Sequence, residues 1–221
     1  MTARSDRLVI VCTANVIRSP FVAGLLASRM PSSLEQRLIL DSAGTMARPS
    51  IPADPRVVAL GRTYGLDLDP HRSRRLDEGV LRTGDTVLTA ERAHKRVVLD
   101  LRPDLISSVF ALREFARLAE AVQGRASSWA GLVQAVSRAR LTVRRTHDED
   151  DDVVDPVGGP DAAWLAFERQ ATQAVSTILS VVATLAPPVH PEGSAAPILT
   201  RREYRRSREF SVLDRRSTRK G

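Results

Sequence analysis

Apolar positions follow two rhythms along this chain. Short, nearly uninterrupted apolar runs alternate with longer stretches in which apolar residues recur every three or four positions. Leu8-Val9-Ile10-Val11 ends at Cys12 and Thr13, the pattern of a strand buried on both faces of a parallel sheet. A short loop follows. Ser19 then offers a helix-capping hydroxyl and Pro20 the proline tolerated at a first helical position, with Phe21, Leu25, Leu26 and Met30 at helical spacing. Leu38-Ile39-Leu40 predicts a second strand running into the small-residue turn Asp41-Ser42-Ala43-Gly44-Thr45.

Asp54-Pro55 predicts a helix through Tyr64, stopped by Gly65. Asp85 to Thr89 reads as a third strand, Glu91 to Leu99 as its following helix, and Val109 to Leu112 as a fourth strand. Arg113 to Arg145 is helical with a break near Gly124 to Ser128, and His147 to Asp152 is an acidic loop. A last helix spans Asp161 to Leu185, on the stripe Trp164, Leu165, Phe167, Ala171, Val175, Ile178, Leu179 and Val182. Strands alternating with helices predict an α/β three-layer sandwich, a four-stranded parallel sheet with helices on both faces.

A chain of 221 residues can bury one such core with an appendage, rather than two full domains. We place the domain at residues 1–186 and a flexible basic extension at 187–221, with a short basic helix around Tyr204. The net charge is +7, but nine Lys/Arg against three acids between Arg201 and Gly221 put +6 of it in that extension. The charge therefore describes a tail able to contact an anionic partner, not a nucleic-acid-binding face of the core. No apolar run reaches the roughly 18 residues of a membrane span, and no signal-peptide pattern opens the chain, so a cytoplasmic location is expected. One cysteine, Cys12, excludes an internal disulfide and a zinc site of several thiolates.

Cys12-Thr13-Ala14-Asn15-Val16-Ile17-Arg18-Ser19 places a thiol and a guanidinium at the ends of a tight strand-to-helix loop. Inward backbone N–H groups and the positive end of a helix dipole make such a loop a nest for a phosphate dianion. The same field favours a thiolate, the nucleophilic form of cysteine. Arg18 adds planar donors for two phosphoryl oxygens, and Ser19 can donate to the sulfur. Asp155-Pro156, followed by Val157-Gly158-Gly159, lies on a stiff-then-flexible loop suited to carrying a carboxylic acid over a bound ester. Taken singly, each residue has an ordinary reading: Cys12 as a small buried hydrophobe, Arg18 as surface charge, His71 as an exposed or helix-capping histidine, Asp155 as one more solvated acid after Asp148, Asp150, Asp151 and Asp152.

Jointly, Val11 to Pro20 resembles the phosphate-binding loop of the low-molecular-weight protein tyrosine phosphatases. Asp41-Ser42-Ala43-Gly44-Thr45, Asp69-Pro70-His71-Arg72-Ser73 and Asp155-Pro156 resemble further segments of that family, in its order, across residues 7 to 186. The resemblance implies a cysteine-dependent phosphatase acting on phosphate monoesters, with protein phosphotyrosine as substrate and a phosphocysteine intermediate. It implies Cys12, Arg18 and Asp155 as catalytic residues, Thr13 to Ser19 as the phosphate-binding loop, and Asn15, Ser19, Ser42 and His71 as its supports. It implies no metal and no cofactor, and a phosphorylated protein, such as a tyrosine kinase, as partner.

Departures from the family are visible as well. Ala14 replaces the usual glycine, raising the expectation of an altered loop backbone. Ile17 stands where many members have a second cysteine. Met46, Ala47, Arg48 and Val157 stand where aromatic residues commonly flank the cleft, which removes stacking partners for a phosphotyrosine ring. Thr89-Ala90-Glu91 departs from the usual Met-Asp after the third strand. Two alternatives stay open: an arsenate reductase using an external small thiol, and a non-catalytic phosphate-binding relative.

Overall fold

The computed structural model describes residues 6–35, 37–143 and 151–185. Four strands, β1 (Asp6–Cys12), β2 (Leu38–Gly44), β3 (Thr86–Thr89) and β4 (Val109–Ala111), form one parallel sheet in the order β2-β1-β3-β4. The helices are α1 (Arg18–Arg29), α2 (Ser32–Glu35), α3 (Pro55–Thr63), α4 (Arg92–Leu101), α5 (Leu112–Ala121), α6 (Trp129–Ala139) and α7 (Asp161–Val182).

The apolar run of β1 is continuous because both its faces are covered. Leu8, Ile10 and Cys12 point into the larger core with Phe21 and Leu25 of α1, Phe115 of α5, Trp129 of α6 and Phe167 and Ile178 of α7. Val9 and Val11 point into a smaller core with Val98 of α4, Leu76, Leu81 and Leu105. Each fully buried large apolar side chain contributes roughly 1.5–3 kcal/mol, so the larger core dominates stability. Its aromatic residues meet edge-on or tilted: Phe110 and Phe115 are 5.2 Å apart, Phe21 and Phe167 5.4 Å.

One buried ion network ties the sheet laterally. Arg7 on β1 donates to Asp41 of β2 at 2.8 Å, to Asp85 before β3 at 2.7 Å and to the Val80 carbonyl at 2.8 Å. α3 begins as its sequence predicts, with Asp54 accepting from the Arg56 N–H at 2.8 Å and Pro55 in the first turn. It ends before Gly65, whose φ of 73° no β-carbon-bearing residue adopts cheaply.

Several boundaries differ from expectation. α1 starts at Arg18, with Ile17 at the N-cap and no side-chain cap; the Ser19 hydroxyl is spent on the loop instead. β4 stops at Ala111, and Leu112 opens α5. α7 ends at Val182 rather than Leu185. The one-turn α2 carries too few residues for a periodic signal. The expected break lies between α5 and α6, at Gly124 with φ 77°. The extension at 187–221, the helix around Tyr204 and residues 147–150 of the acidic loop lie outside the described residues. Among the described residues no helix is long and apolar enough to cross a membrane.

Candidate active site

β1 has β2 on one side and β3 on the other, so the chain leaves the sheet centre in opposite directions. In open parallel sheets the crevice at the carboxyl ends of such strands is where ligands bind. The ends that meet there are Cys12 of β1, paired in register with Gly44 of β2, and Thr89 of β3, opposite Val11. Residues 13–17 turn directly from Cys12 into α1, bringing the helix N-terminus to the same point.

Asn15 organises this turn. Its φ is 56°, a left-handed conformation that asparagine tolerates better than most residues. Its side-chain amide donates to Ser19 Oγ at 2.9 Å and Ser42 Oγ at 2.9 Å, and its Oδ1 accepts from the Arg74 N–H at 2.8 Å. His71 Nε2 donates to the Asn15 carbonyl at 2.7 Å. Cys12 Sγ lies 3.0 Å from Ser19 Oγ and accepts from the Asn15 N–H at 3.3 Å. Asn15, Ser19, Ser42 and His71 are thus brought into one hydrogen-bonded cluster around a cysteine that is 2% exposed. Ala14 carries no left-handed strain: among the described residues only Asn15 and Ser50 combine a β-carbon with positive φ.

Arg18 is only 3% exposed, and both terminal nitrogens of its guanidinium are occupied by partners. Nη2 donates to Asp155 Oδ2 at 2.7 Å and to Thr13 Oγ1 at 3.1 Å, while Nη1 donates to the Val153 carbonyl at 3.1 Å and to Glu91 Oε1. Asp155 is held from its other side by the Val157 N–H, 3.2 Å from Oδ1. The competing acids point elsewhere: Asp151 pairs with Arg117 and Asp152 with Arg92. Asp148 and Asp150 lie outside the described residues.

Two residues here escaped the sequence reading. Glu91 follows the end of β3 and pairs with Arg18; His94, one helical turn on, is 4% exposed and sits 2.9 Å from Thr13 Oγ1. Burial holds the His94 imidazole below its ordinary pKa, with Glu91 opposing and Arg18 reinforcing that shift. The available signal was positional: residues just past the ends of adjacent parallel strands share one edge, so a Glu-x-x-His after β3 faces the loop after β1.

Chemically, the site offers a sulfur with two hydrogen-bond partners, a guanidinium at a helix N-terminus and a carboxylate bonded to that guanidinium. At its rim, Met46, whose N–H bonds the Thr13 carbonyl at 2.8 Å, and Val157 are both exposed. No aromatic side chain occupies either place.

The model of the family described as low molecular weight phosphotyrosine protein phosphatase matches residues 7–125, a span that holds Cys12, Arg18, Ser42, His71, Glu91 and His94 and stops short of Asp155. Over 107 residues the chain is 32% identical to a probable low molecular weight protein-tyrosine-phosphatase, EpsP, of Ralstonia solanacearum, covering 48% of this chain and 70% of that one. It is 32% identical over 104 residues to the protein-tyrosine-phosphatase Wzb of Salmonella typhi, covering 47% and 66%. The low molecular weight protein tyrosine phosphatase of T. tengcongensis superposes with a TM-score of 0.57 at 25% identity, over 80% of this chain and 99% of that one. The strand order, the loop after β1 and these likenesses agree, and the chain belongs to the low molecular weight phosphotyrosine protein phosphatase family.

Proposed function

We propose that this phosphatase hydrolyses phosphate monoesters on protein tyrosine through a phosphocysteine intermediate, with Cys12 as nucleophile, Arg18 as phosphoryl clamp and Asp155 as general acid. The observation that carries the reading is the bridge made by Arg18: one nitrogen bonds both Asp155 and Thr13, the residue after Cys12, which supports loop, clamp and acid acting together. In the first step Cys12 Sγ attacks phosphorus, the S–P bond forms, the P–O ester bond breaks, and the departing oxygen takes the Asp155 proton. In the second step water attacks phosphorus and gives a proton to Asp155, the S–P electron pair returns to sulfur, and phosphate leaves. Arg18 and the loop N–H groups hold the equatorial oxygens throughout. Asn15, Ser19, Ser42 and His71 keep the loop in shape.

Phosphotyrosine is the substrate class supported by the protein-tyrosine-phosphatase relatives above; a phosphorylated tyrosine kinase is the partner of that chemistry. The exposed Met46 and Val157 would contact the ring by apolar packing rather than stacking. The test is steady-state hydrolysis of an aryl phosphate and of a phosphotyrosyl peptide by wild type, Cys12→Ser, Arg18→Ala and Asp155→Asn. Loss of turnover in the first and falls of roughly 10²- to 10⁴-fold in the other two are expected. A wild type inert on both, yet reducing arsenate with an external thiol, would replace this reading with the reductase; inert on all three, with phosphate still bound, it would be a binding relative.

A further inference from the structure

His94 bonds in a way that settles where its proton sits. Nδ1 lies 3.2 Å from the Glu91 N–H, which can only donate, so Nδ1 is the acceptor. A neutral imidazole accepting at Nδ1 carries its hydrogen on Nε2, and Nε2 therefore donates to Thr13 Oγ1 at 2.9 Å. Arg18 Nη2 donates to the same oxygen at 3.1 Å. With both lone pairs of Thr13 Oγ1 engaged, its hydroxyl acts only as a donor, directed away from His94 and Arg18. Thr13 is the residue after Cys12, at the start of the loop.

We propose that the Thr13 hydroxyl donates a hydrogen bond to an equatorial phosphoryl oxygen during transfer, and that His94 is the positioning residue that aims it. The inference rests on the phosphatase reading above. It adds a hydroxyl donor to the backbone N–H groups and the Arg18 guanidinium, and a buried histidine two steps from the substrate. When a phosphoryl group engages Arg18, the His94 bond still keeps the Thr13 hydroxyl hydrogen turned away from His94 and free to be donated.

His94 also bonds the Glu91 N–H at the start of α4, and two substitutions separate that structural bond from the proposed role. His94→Asn places an oxygen near the Nδ1 position, keeping the Glu91 bond and losing the one to Thr13. His94→Gln places an N–H near the Nε2 position, keeping the Thr13 bond and losing the one to Glu91. The experiment measures kcat, KM and Tm with an aryl phosphate for wild type, Thr13→Val, Thr13→Ser, both His94 variants and the Thr13→Val/His94→Asn double variant. Thr13→Val is expected to lower kcat roughly 10- to 100-fold with KM little changed, and Thr13→Ser to restore most of it. His94→Asn should lower kcat at near-wild-type Tm, and His94→Gln should lower Tm while keeping more of kcat. In the Thr13→Val background His94→Asn should cost nothing further. Full activity in Thr13→Val, or multiplicative losses in the double variant, would overturn the inference while leaving the phosphatase intact. Retained turnover in Cys12→Ser would instead overturn the reading it rests on.

Discussion

Gly44 lies so close to Thr13 that a β-carbon on it would stand 2.6 Å from the Thr13 carbonyl oxygen and 2.8 Å from the Asn15 nitrogen. Both obstacles are backbone, and neither can rotate away. The end of β2 thus serves as a floor on which the loop after β1 rests, and the floor must be bare. Gly44→Ala should lower stability by about 1–3 kcal/mol, as overpacking does, and reduce aryl phosphate turnover because the displaced atoms belong to the loop. Chemical denaturation and kcat/KM on the same preparation check this; a stable, fully active variant would show that the floor yields without effect.

Glu91 accepts from Nη1 of Arg18 while Nη2 donates to the loop threonine, so a carboxylate stands beside the proposed phosphoryl clamp. Glu91→Gln keeps the backbone N–H that His94 accepts, while removing the charge. Inorganic phosphate should inhibit this variant roughly fivefold more tightly, the order of 1 kcal/mol that two unit charges about 4 Å apart exchange when water screens them. Weaker inhibition would mean that Glu91 chiefly holds Arg18 in place.

Arg7 is the buried centre of an ion network whose partner Asp85 is only 3% exposed. Arg7→Ala strands that carboxylate and should cost about 3–5 kcal/mol. Removing Asp85 as well should recover part of the loss, because the cost of the single change is largely the unpaired charge. A double variant as unstable as the sum of the singles would contradict this account.

Stability should fall on acidification in two stages. His94 has a pKa depressed by burial, so its contribution is complete above its unfolded value of about 6.5 and is lost as pH falls through the lower folded value. The charged groups that act on it are Glu91, Arg18, Asp155 and Asp152. Glu114 comes next. Burial pushes its carboxyl up, but Arg140, Lys95 and the Ala111 N–H outweigh this and hold it low, so its contribution is present above about 4.5 and lost below. Denaturation midpoints at pH 7.5 and 5.5 should therefore differ less for His94→Asn than for wild type. An equal difference in both would remove His94 as the titrating group.

Much of the fold was legible one element at a time. The apolar run before Cys12, the Asp54-Pro55 start of α3 and the break near Gly124 are local signals, and each acts through the residues that carry it. The start of α1 was misread for an instructive reason. Ser19-Pro20 has the chemistry of a helix cap, but in the folded chain the Ser19 hydroxyl has partners in Cys12, seven residues back, and Asn15, and the sequence cannot tell such a hydroxyl from one that caps a helix. Cys12, Arg18 and Ser19 were accessible from spacing, because one loop holds them all. Ser42 and His71 came into view only through resemblance, whereas Asp155 also showed in the proline and glycines that follow it.

What the sequence by itself determined is therefore the local chemistry: a strand buried on both faces, a thiol and a guanidinium one loop apart, and a single cysteine. Tertiary structure alone decided which distant groups complete the site. Glu91 and Asp155 reach Arg18 across 73 and 137 residues, and His94 reaches Thr13 across 81. Nothing in local periodicity encodes such pairings. They follow from the order β2-β1-β3-β4, which lays the carboxyl ends of neighbouring parallel strands along one edge and lets residues far apart in the chain share a few ångströms of space.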